Sequence, residues 1–161
     1  MRSTLAAVAL AVLAAPAPAS LHAQQVPNLS GTWVLQTDKS DFGMMPAPKS
    51  RTDVIDHQEP QLTIKRTVSS SAGDTTSSNL IYQVDGKPYK NMVGPNELSS
   101  ILHWEGTTLV MVTTVETPNG TVTITDRYTL SADGKTIAQA RTFNAGGQDV
   151  GNQTMLLLKQ P

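Results

Sequence analysis

The sequence predicts an all-β protein, an up-and-down antiparallel β-barrel of eight to ten strands. Short segments in which apolar and polar residues alternate recur at spacings of about 10 residues, as in meandering sheets. Turn-forming pairs such as Asn119-Gly120 and Asp133-Gly134 separate them. No stretch has the length and period of a crossover helix. A β-sandwich remains the alternative, but short sequential hairpins favour the barrel, which also removes exposed sheet edges.

The first 23 residues are predicted to be a secretory signal peptide. Arg2 supplies a positive charge, and Leu5 to Ala15 is an unbroken apolar run that is shorter than the roughly 20 residues of a membrane span. Cleavage is expected after Ala23, with Ala19 as the second choice. The remainder, residues 24–161, suits a single domain. We therefore expect a periplasmic or secreted protein with no stable membrane insertion after cleavage.

Composition excludes several kinds of chemistry. The chain contains no cysteine, which rules out disulfides and thiol catalysis. Its formal net charge is −1 and its basic residues are dispersed, so nucleic acid is not an expected partner. His57 and His103 lie far apart without the spacing of a metal site. We predict neither a metal nor a cofactor.

The strands can be assigned in order from their alternation and the turns between them. Pro60 marks one turn because proline is excluded from central ladder positions. The polar run Ser69 to Ser78 contains no large apolar residue and predicts a long mobile hairpin tip. The predicted strands are 29–35, 51–57, 62–68, 80–84, 87–93, 98–104, 109–116, 122–130, 137–143 and 154–159.

Strand register can be counted from the tight turns. A two-residue Asn119-Gly120 turn and a Glu105-Gly106 turn join three consecutive strands through their apolar faces. The predicted pairs are Leu102 with Leu109, Leu109 with Leu130, Met111 with Tyr128, and Val115 with Ile124. Leu102 and Trp104 then share the inward face, and His103 points outward.

The next turn decides where a charged pair lies. A tight Asp133-Gly134 turn sets Asp126 opposite Arg141, and Tyr128 opposite Gln139, on the same inward face. A three-residue turn that includes Ala132 would instead turn Arg141 to solvent. Ile137 and Phe143 lie on the same side as Arg141 and favour the first register.

The motif Gly31-Thr32-Trp33, followed by a meander of strands, resembles the lipocalin and fatty-acid-binding superfamily, and most of all the lipocalin-like proteins that bacteria export. The resemblance implies that Gly31 and Trp33 are structural, with the tryptophan plugging one end of the barrel, and Trp104 is assigned to the same apolar face. Members also pack a late arginine over this tryptophan, a role that Arg141 or Lys159 would fill here. The C-terminal helix of lipocalins has no counterpart in this sequence.

The predicted ligand site lies on the inward face. Arg141, beside Asp126, could bind a carboxylate or phosphate through two hydrogen bonds. Arg66 is expected to project inward from its own strand. The apolar tail of an amphipathic ligand would lie against Leu109, Met111, Ile124 and Phe143. The predicted ligand-binding set is Arg66, Met111, Asp126, Tyr128, Gln139 and Arg141.

Three functions follow from this site. The leading expectation is an exported carrier that holds a small hydrophobic or amphipathic molecule inside the barrel. The alternative is a non-catalytic envelope or interaction module whose barrel is filled by side chains. A third is an enzyme with Asp126 as general base, which the adjacent arginine disfavours because an arginine-paired carboxylate is a weaker base. Nothing in the sequence indicates an oligomeric state.

Overall fold

A computed structural model describes residues 26–161 of the chain, so the predicted signal peptide lies outside the described residues. Ten strands and one short 3-10 helix, Thr37–Lys39, occur in this range. Within it, no helix has the length and apolarity that crossing a bilayer requires. The strands are β1 (Gly31–Leu35), β2 (Ser50–Gln58), β3 (Gln61–Ser69), β4 (Thr75–Gln83), β5 (Pro88–Val93), β6 (Asn96–Glu105), β7 (Thr108–Thr117), β8 (Gly120–Leu130), β9 (Thr136–Ala145) and β10 (Gln148–Lys159).

The strands form one antiparallel sheet in the order β4-β3-β2-β1-β10-β9-β8-β7-β6-β5. Each strand is paired with the next one in the chain except at β4 and β5, which form the two edges of the sheet, and β1 pairs with β10. The sheet therefore curls into a nearly closed barrel. The Asn91 carboxamide spans these edges, accepting from the Ile81 N–H at 2.8 Å and donating to the Ile81 carbonyl at 3.1 Å. The predicted all-β, up-and-down barrel is confirmed.

Strand register agrees with the prediction at one turn and differs at two. Asp126 lies opposite Arg141 and Tyr128 opposite Gln139, as predicted. The predicted register of β6 on β7 and of β7 on β8 is wrong by two residues. The observed pairs are Leu102 with Met111, Trp104 with Leu109, Leu109 with Tyr128, Met111 with Asp126, Thr113 with Ile124 and Val115 with Val122.

The cause of this shift is the position of the turns. The chain reverses at Gly106-Thr107 and Pro118-Asn119, one residue away from each predicted pair. Gly120 becomes the first residue of β8, where its φ of 112° suits glycine. Because side chains alternate with a period of two, a shift of two leaves every side chain on its predicted face.

The predicted long mobile hairpin tip at Ser69 to Ser78 is also wrong. Only residues 70–74 form the turn, and β4 begins at Thr75. Its first half pairs with β3 through polar side chains, including a 2.9 Å hydrogen bond between the hydroxyls of Ser69 and Thr75. Threonine suits strands, and both faces are exposed here, so no apolar alternation marks this half of the strand.

Trp33 is fully buried where β1 begins, and its indole N–H donates to the Leu29 carbonyl at 2.9 Å. The Lys159 ammonium lies over the indole, 5.3 Å from the ring centroid, as a cation–π contact. The lysine stem crosses Gly31, where a β-carbon would lie 2.5 Å from Lys159 Cε. Gly31 is therefore favoured by its φ of 141°, whereas a β-carbon would require only the flexible end of Lys159 to shift.

A group of hydrogen-bonded side chains closes this end of the barrel, and we call Leu29, Trp33, His57, Glu59 and Trp104 the closed end. The Leu29 N–H donates to His57 Nδ1 at 3.2 Å, and His57 Nε2 lies 2.8 Å from Glu59. The Trp104 indole N–H donates to the same Glu59 oxygen at 2.6 Å. Because Nδ1 accepts, His57 carries its proton on Nε2. Each polar hydrogen of this group has one acceptor.

Candidate ligand-binding site

Six polar side chains project into the barrel and form one continuous hydrogen-bonded group, which we call the lumen network. Alternation along the strands directs them inward, since the residues between them face out. Its members are Arg51 and Asp53 on β2, Arg66 on β3, Asp126 on β8, and Gln139 and Arg141 on β9.

Asp53 is the most heavily bonded member of the network. Arg66 donates to it from Nε and Nη2, both at 2.9 Å, and Arg51 donates from Nε at 3.1 Å and Nη2 at 2.6 Å. Burial alone would raise the pKa of Asp53, but the charges and hydrogen bonds of Arg66 and Arg51 outweigh it and hold the pKa far below its usual range. Burial opposes the charge on Arg66, yet its pKa is also raised, chiefly by Asp53.

Asp126 forms the second half of the network. Arg141 donates to it from Nε at 2.8 Å and from Nη2 at 2.9 Å, and Gln139 donates its amide N–H at 2.6 Å. Burial opposes the charge on Arg141, but Asp126 raises its pKa above the ordinary arginine value. The Gln139 carbonyl accepts from Arg51 Nη1 at 2.8 Å and so joins the two halves.

The network has more donors than acceptors. Three guanidinium groups face two carboxylates, so it carries one net positive charge inside the barrel. Arg51 uses Nε and both of its terminal nitrogens. Among the described residues, Nη1 of Arg66 and Nη1 of Arg141 have no hydrogen-bond partner. The same two side chains keep 18% and 22% of their surface accessible, against 6% for Arg51.

Two compartments meet at these two arginines. The inner compartment has a volume of about 240 Å³ and the outer one about 220 Å³, and Arg66, Val68 and Arg141 line both. The apolar lining of the inner compartment includes Leu80, Val93, Leu98, Met111 and Ile124. The apolar lining of the outer compartment comprises Leu35, Phe42, Met45, Pro46, Pro48, Val68 and Met155.

Two tyrosines lie beside the charged groups. The Tyr128 hydroxyl is buried and has no hydrogen-bond partner among the described residues, an unsatisfied state that is costly in a protein interior. Tyr82 lines the inner compartment, and burial raises its pKa to about 12. The Tyr82 phenol therefore stays neutral at physiological pH. The Tyr128 hydroxyl has an unused donor among the described residues.

The structure places the predicted residues as follows. Arg66, Met111, Asp126 and Arg141 line the inner compartment, and Ile124 lies with them. Gln139 is fully buried behind them as the link to Arg51, and Tyr128 is buried. Leu109 packs in the core, and Phe143 lies under the Arg141 guanidinium, 5.9 Å from it.

Sequence reasoning missed Arg51 and Asp53, which complete the network. The signal was present, because Arg51, Asp53, Ile55 and His57 alternate on one face of β2. A tight turn after Gln58 also sets Asp53 opposite Arg66. Val54, between Asp53 and Ile55, faces outward and is 45% exposed.

The described residues contain no cluster of potential metal ligands. Within residues 26–161, no three side chains of His, Asp or Glu converge in a way that could hold an ion. Both oxygens of Asp126 accept hydrogen bonds from Arg141.

Comparison with known proteins supplies the fold and no closer relationship. No protein-family model matches the chain, and no curated protein matches it either. Among solved structures, a variant of the fluorescent protein UnaG matches with a TM-score of 0.58 and 12% identity, over 82% of this chain and 96% of that one.

Two further structures show the same architecture. Rv2717c from M. tuberculosis matches with a TM-score of 0.51 and 16% identity, over 83% of this chain and 93% of that one. A fatty-acid-binding protein from Manduca sexta matches with a TM-score of 0.51 and 12% identity, over 81% of this chain and 98% of that one. At these identities the matches show the fold alone, which is the nearly closed, up-and-down antiparallel β-barrel described above.

Proposed function

We propose that this protein is an exported carrier that binds a small amphipathic anion inside its barrel. The observation that carries the proposal is the pair of guanidinium groups at Arg66 and Arg141. Both residues line the two largely apolar compartments, and each has a terminal nitrogen with no hydrogen-bond partner among the described residues. Three arginines against two aspartates leave one positive charge for a ligand to neutralise.

The ligand's apolar part has a complementary surface. Leu80, Leu98, Met111 and Ile124 form a lining that offers no hydrogen bond, so burying alkyl carbon there is favourable by about 0.8 kcal/mol per methylene. One solved neighbour is a fatty-acid-binding protein, and its name is consistent with this ligand chemistry.

Export rests on the N-terminal sequence. Arg2, the apolar run from Leu5 and the small residues before Gln24 support a cleaved signal peptide and a periplasmic or secreted protein. The intact mass of protein recovered from an envelope fraction tests this part. A mature N-terminus at Gln24 or Ser20 is expected, and a chain that retains residues 1–19 contradicts it.

A filled-barrel interaction module is the second candidate, and one observation favours it. Each compartment taken alone is below the roughly 300 Å³ at which ligand pockets begin. Native mass spectrometry of the protein purified from the cell envelope or medium of its own organism distinguishes a carrier from a filled module. A carrier retains a co-purifying small molecule, whereas a filled module has the mass of the bare chain.

Titration with an environment-sensitive fluorescent fatty acid tests binding directly. Arg66→Met is the informative variant, because Asp53 keeps its hydrogen bonds to Arg51 and both carboxylates stay paired. Losing one charge-assisted contact costs about 1.5–3 kcal/mol, so the probe should bind at least about tenfold more weakly.

The matched control is Arg127→Met. Arg127 lies on the outer face of β8, half-exposed and paired with Glu105, and reaches neither compartment. Its substitution should leave the titration unchanged. Absence of a saturable signal in the wild-type protein, or equal losses in the two variants, would overturn the proposal.

A further inference from the structure

The two compartments lie on opposite sides of the arginine pair. Arg66 belongs to β3 and Arg141 to β9, and three strands (β2, β1 and β10) separate them around the barrel wall. The inner compartment is walled mainly by β3 to β9. The outer one is walled by β9, β10, β1, β2, β3 and the segment from Phe42 to Pro48. Arg66 and Arg141 thus come from separate parts of the barrel wall, and both lie where the two compartments meet.

This position is unsuited to a head group at the end of a single chain. A linear amphiphile with a terminal carboxylate would fill one compartment and leave the other apolar surface without a ligand. An anionic group between two apolar arms would place one arm in each compartment. Its charge would then lie at Arg66 and Arg141, where the unused nitrogens are.

We infer that the ligand is a two-armed monoanion, a molecule whose single negative group is flanked by apolar arms on both sides. This inference rests on the proposed function and names its ligand class. The compartments are similar in volume, about 240 and 220 Å³, so the arms are of comparable size. They are also short, since each compartment is smaller than a usual drug-sized pocket.

Two isomeric acids test this inference without changing charge or composition. Dodecanoic acid carries its carboxylate at one end, and 2-butyloctanoic acid carries it between two arms. Displacement of the fluorescent probe by each acid gives their relative affinities. The branched acid should bind at least about tenfold more tightly, because it alone occupies both compartments.

Two matched substitutions locate the second arm. Met45 lines the outer compartment and is 54% exposed, whereas Met92 lies on the outside of β5, lines neither compartment and is 52% exposed. Met45→Trp should narrow the outer compartment and abolish the preference for the branched acid. Met92→Trp introduces the same bulk and should leave the preference unchanged.

The outcomes separate this inference from the proposed function. Linear acid that binds as tightly as the branched acid overturns the two-armed ligand while the proposed function stands. A preference that survives Met45→Trp also overturns it, because the second arm then lies elsewhere. Failure of both acids to displace any probe overturns the two proposals together.

Discussion

The closed end and the lumen network both bury polar side chains, but they differ in whether the hydrogen-bond donors are matched by acceptors. At the closed end the donors of Leu29, Trp33, His57 and Trp104 each have an acceptor. In the lumen, no residue from 26 to 161 accepts from Nη1 of Arg66 or Arg141 or pairs with the Tyr128 hydroxyl, and a net positive charge remains. A group whose donors and acceptors are matched needs no further partner, whereas an excess of buried donors calls for one, and this supports the ligand site proposed above.

The largest effect should come from breaking the closed end at Trp33. Trp33→Ala removes a fully buried indole, its hydrogen bond to Leu29 and its contact with Lys159. Truncation of a buried tryptophan costs about 3–5 kcal/mol of unfolding free energy. Denaturant unfolding measures it, with Met92→Ala as a surface control expected to change stability by less than about 0.5 kcal/mol. A loss below about 1 kcal/mol for Trp33→Ala would contradict a structural role.

A loss of unfolding free energy of similar size is expected when Asp53, the most heavily bonded carboxylate of the lumen network, is neutralised. Asp53→Asn leaves the buried guanidinium groups of Arg51 and Arg66 without a counter-charge. Breaking a buried pair from one side costs about 3 kcal/mol or more. Chemical denaturation at neutral pH measures it, and wild-type stability in the variant would show that the network is not energetically coupled.

Asp53 also makes the unfolding free energy depend on pH in the acidic range. Because the pKa of Asp53 is lower in the folded protein than its unfolded value near 3.9, its contribution is complete above that value. The contribution is lost as the pH falls below about 4 towards the lowered pKa. Unfolding free energies measured from pH 6 to 2 should fall steeply for the wild type and less for Asp53→Asn. Parallel curves would contradict this assignment.

The smallest effect is expected at alkaline pH. Burial raises the pKa of Tyr82 to about 12, so its contribution to stability is complete below the unfolded value near 10 and is lost as the pH rises through 12. Tyrosinate absorbance should show a late-titrating component that Tyr82→Phe removes. Complete titration of the wild type below pH 11 would contradict the burial of this phenol.

The alternation of side chains along the strands and the residues that favour turns are what allowed the fold and part of the strand register to be predicted from the sequence. Asp126 and Arg141 could be paired because one turn at Asp133-Gly134 fixes their register, and the pairing is confirmed. The predicted registers of β6 on β7 and of β7 on β8 were wrong by two residues, because the turns lie at Gly106-Thr107 and Pro118-Asn119. Several neighbouring residues can form a tight turn there, so the sequence does not decide between adjacent turn positions. The predicted set of inward-facing residues is nevertheless correct, since a shift of two residues leaves each side chain on the same face of the sheet.

The rest of the site required three-dimensional distances. Gln139 links Asp126 to Arg51 across strands that are far apart in sequence, and no local pattern encodes that contact. The position of Arg66 and Arg141 between two compartments likewise depends on the curvature of the sheet. A polar residue on an otherwise apolar strand face predicts an inward charge, but it does not predict which donors remain unused.

The central claim is that the lumen network, unlike the closed end, has donors and a positive charge left for a ligand. It is tested most directly by three ligands of the same chain length that differ in the charge of the head group. Calorimetric titration of the wild-type protein with dodecanoate, dodecan-1-ol and dodecylammonium varies only the head group. The positive lumen network should bind the carboxylate at least about tenfold more tightly than the alcohol and should not bind the ammonium. Equal affinity for the alcohol, or binding of the ammonium, would contradict the account.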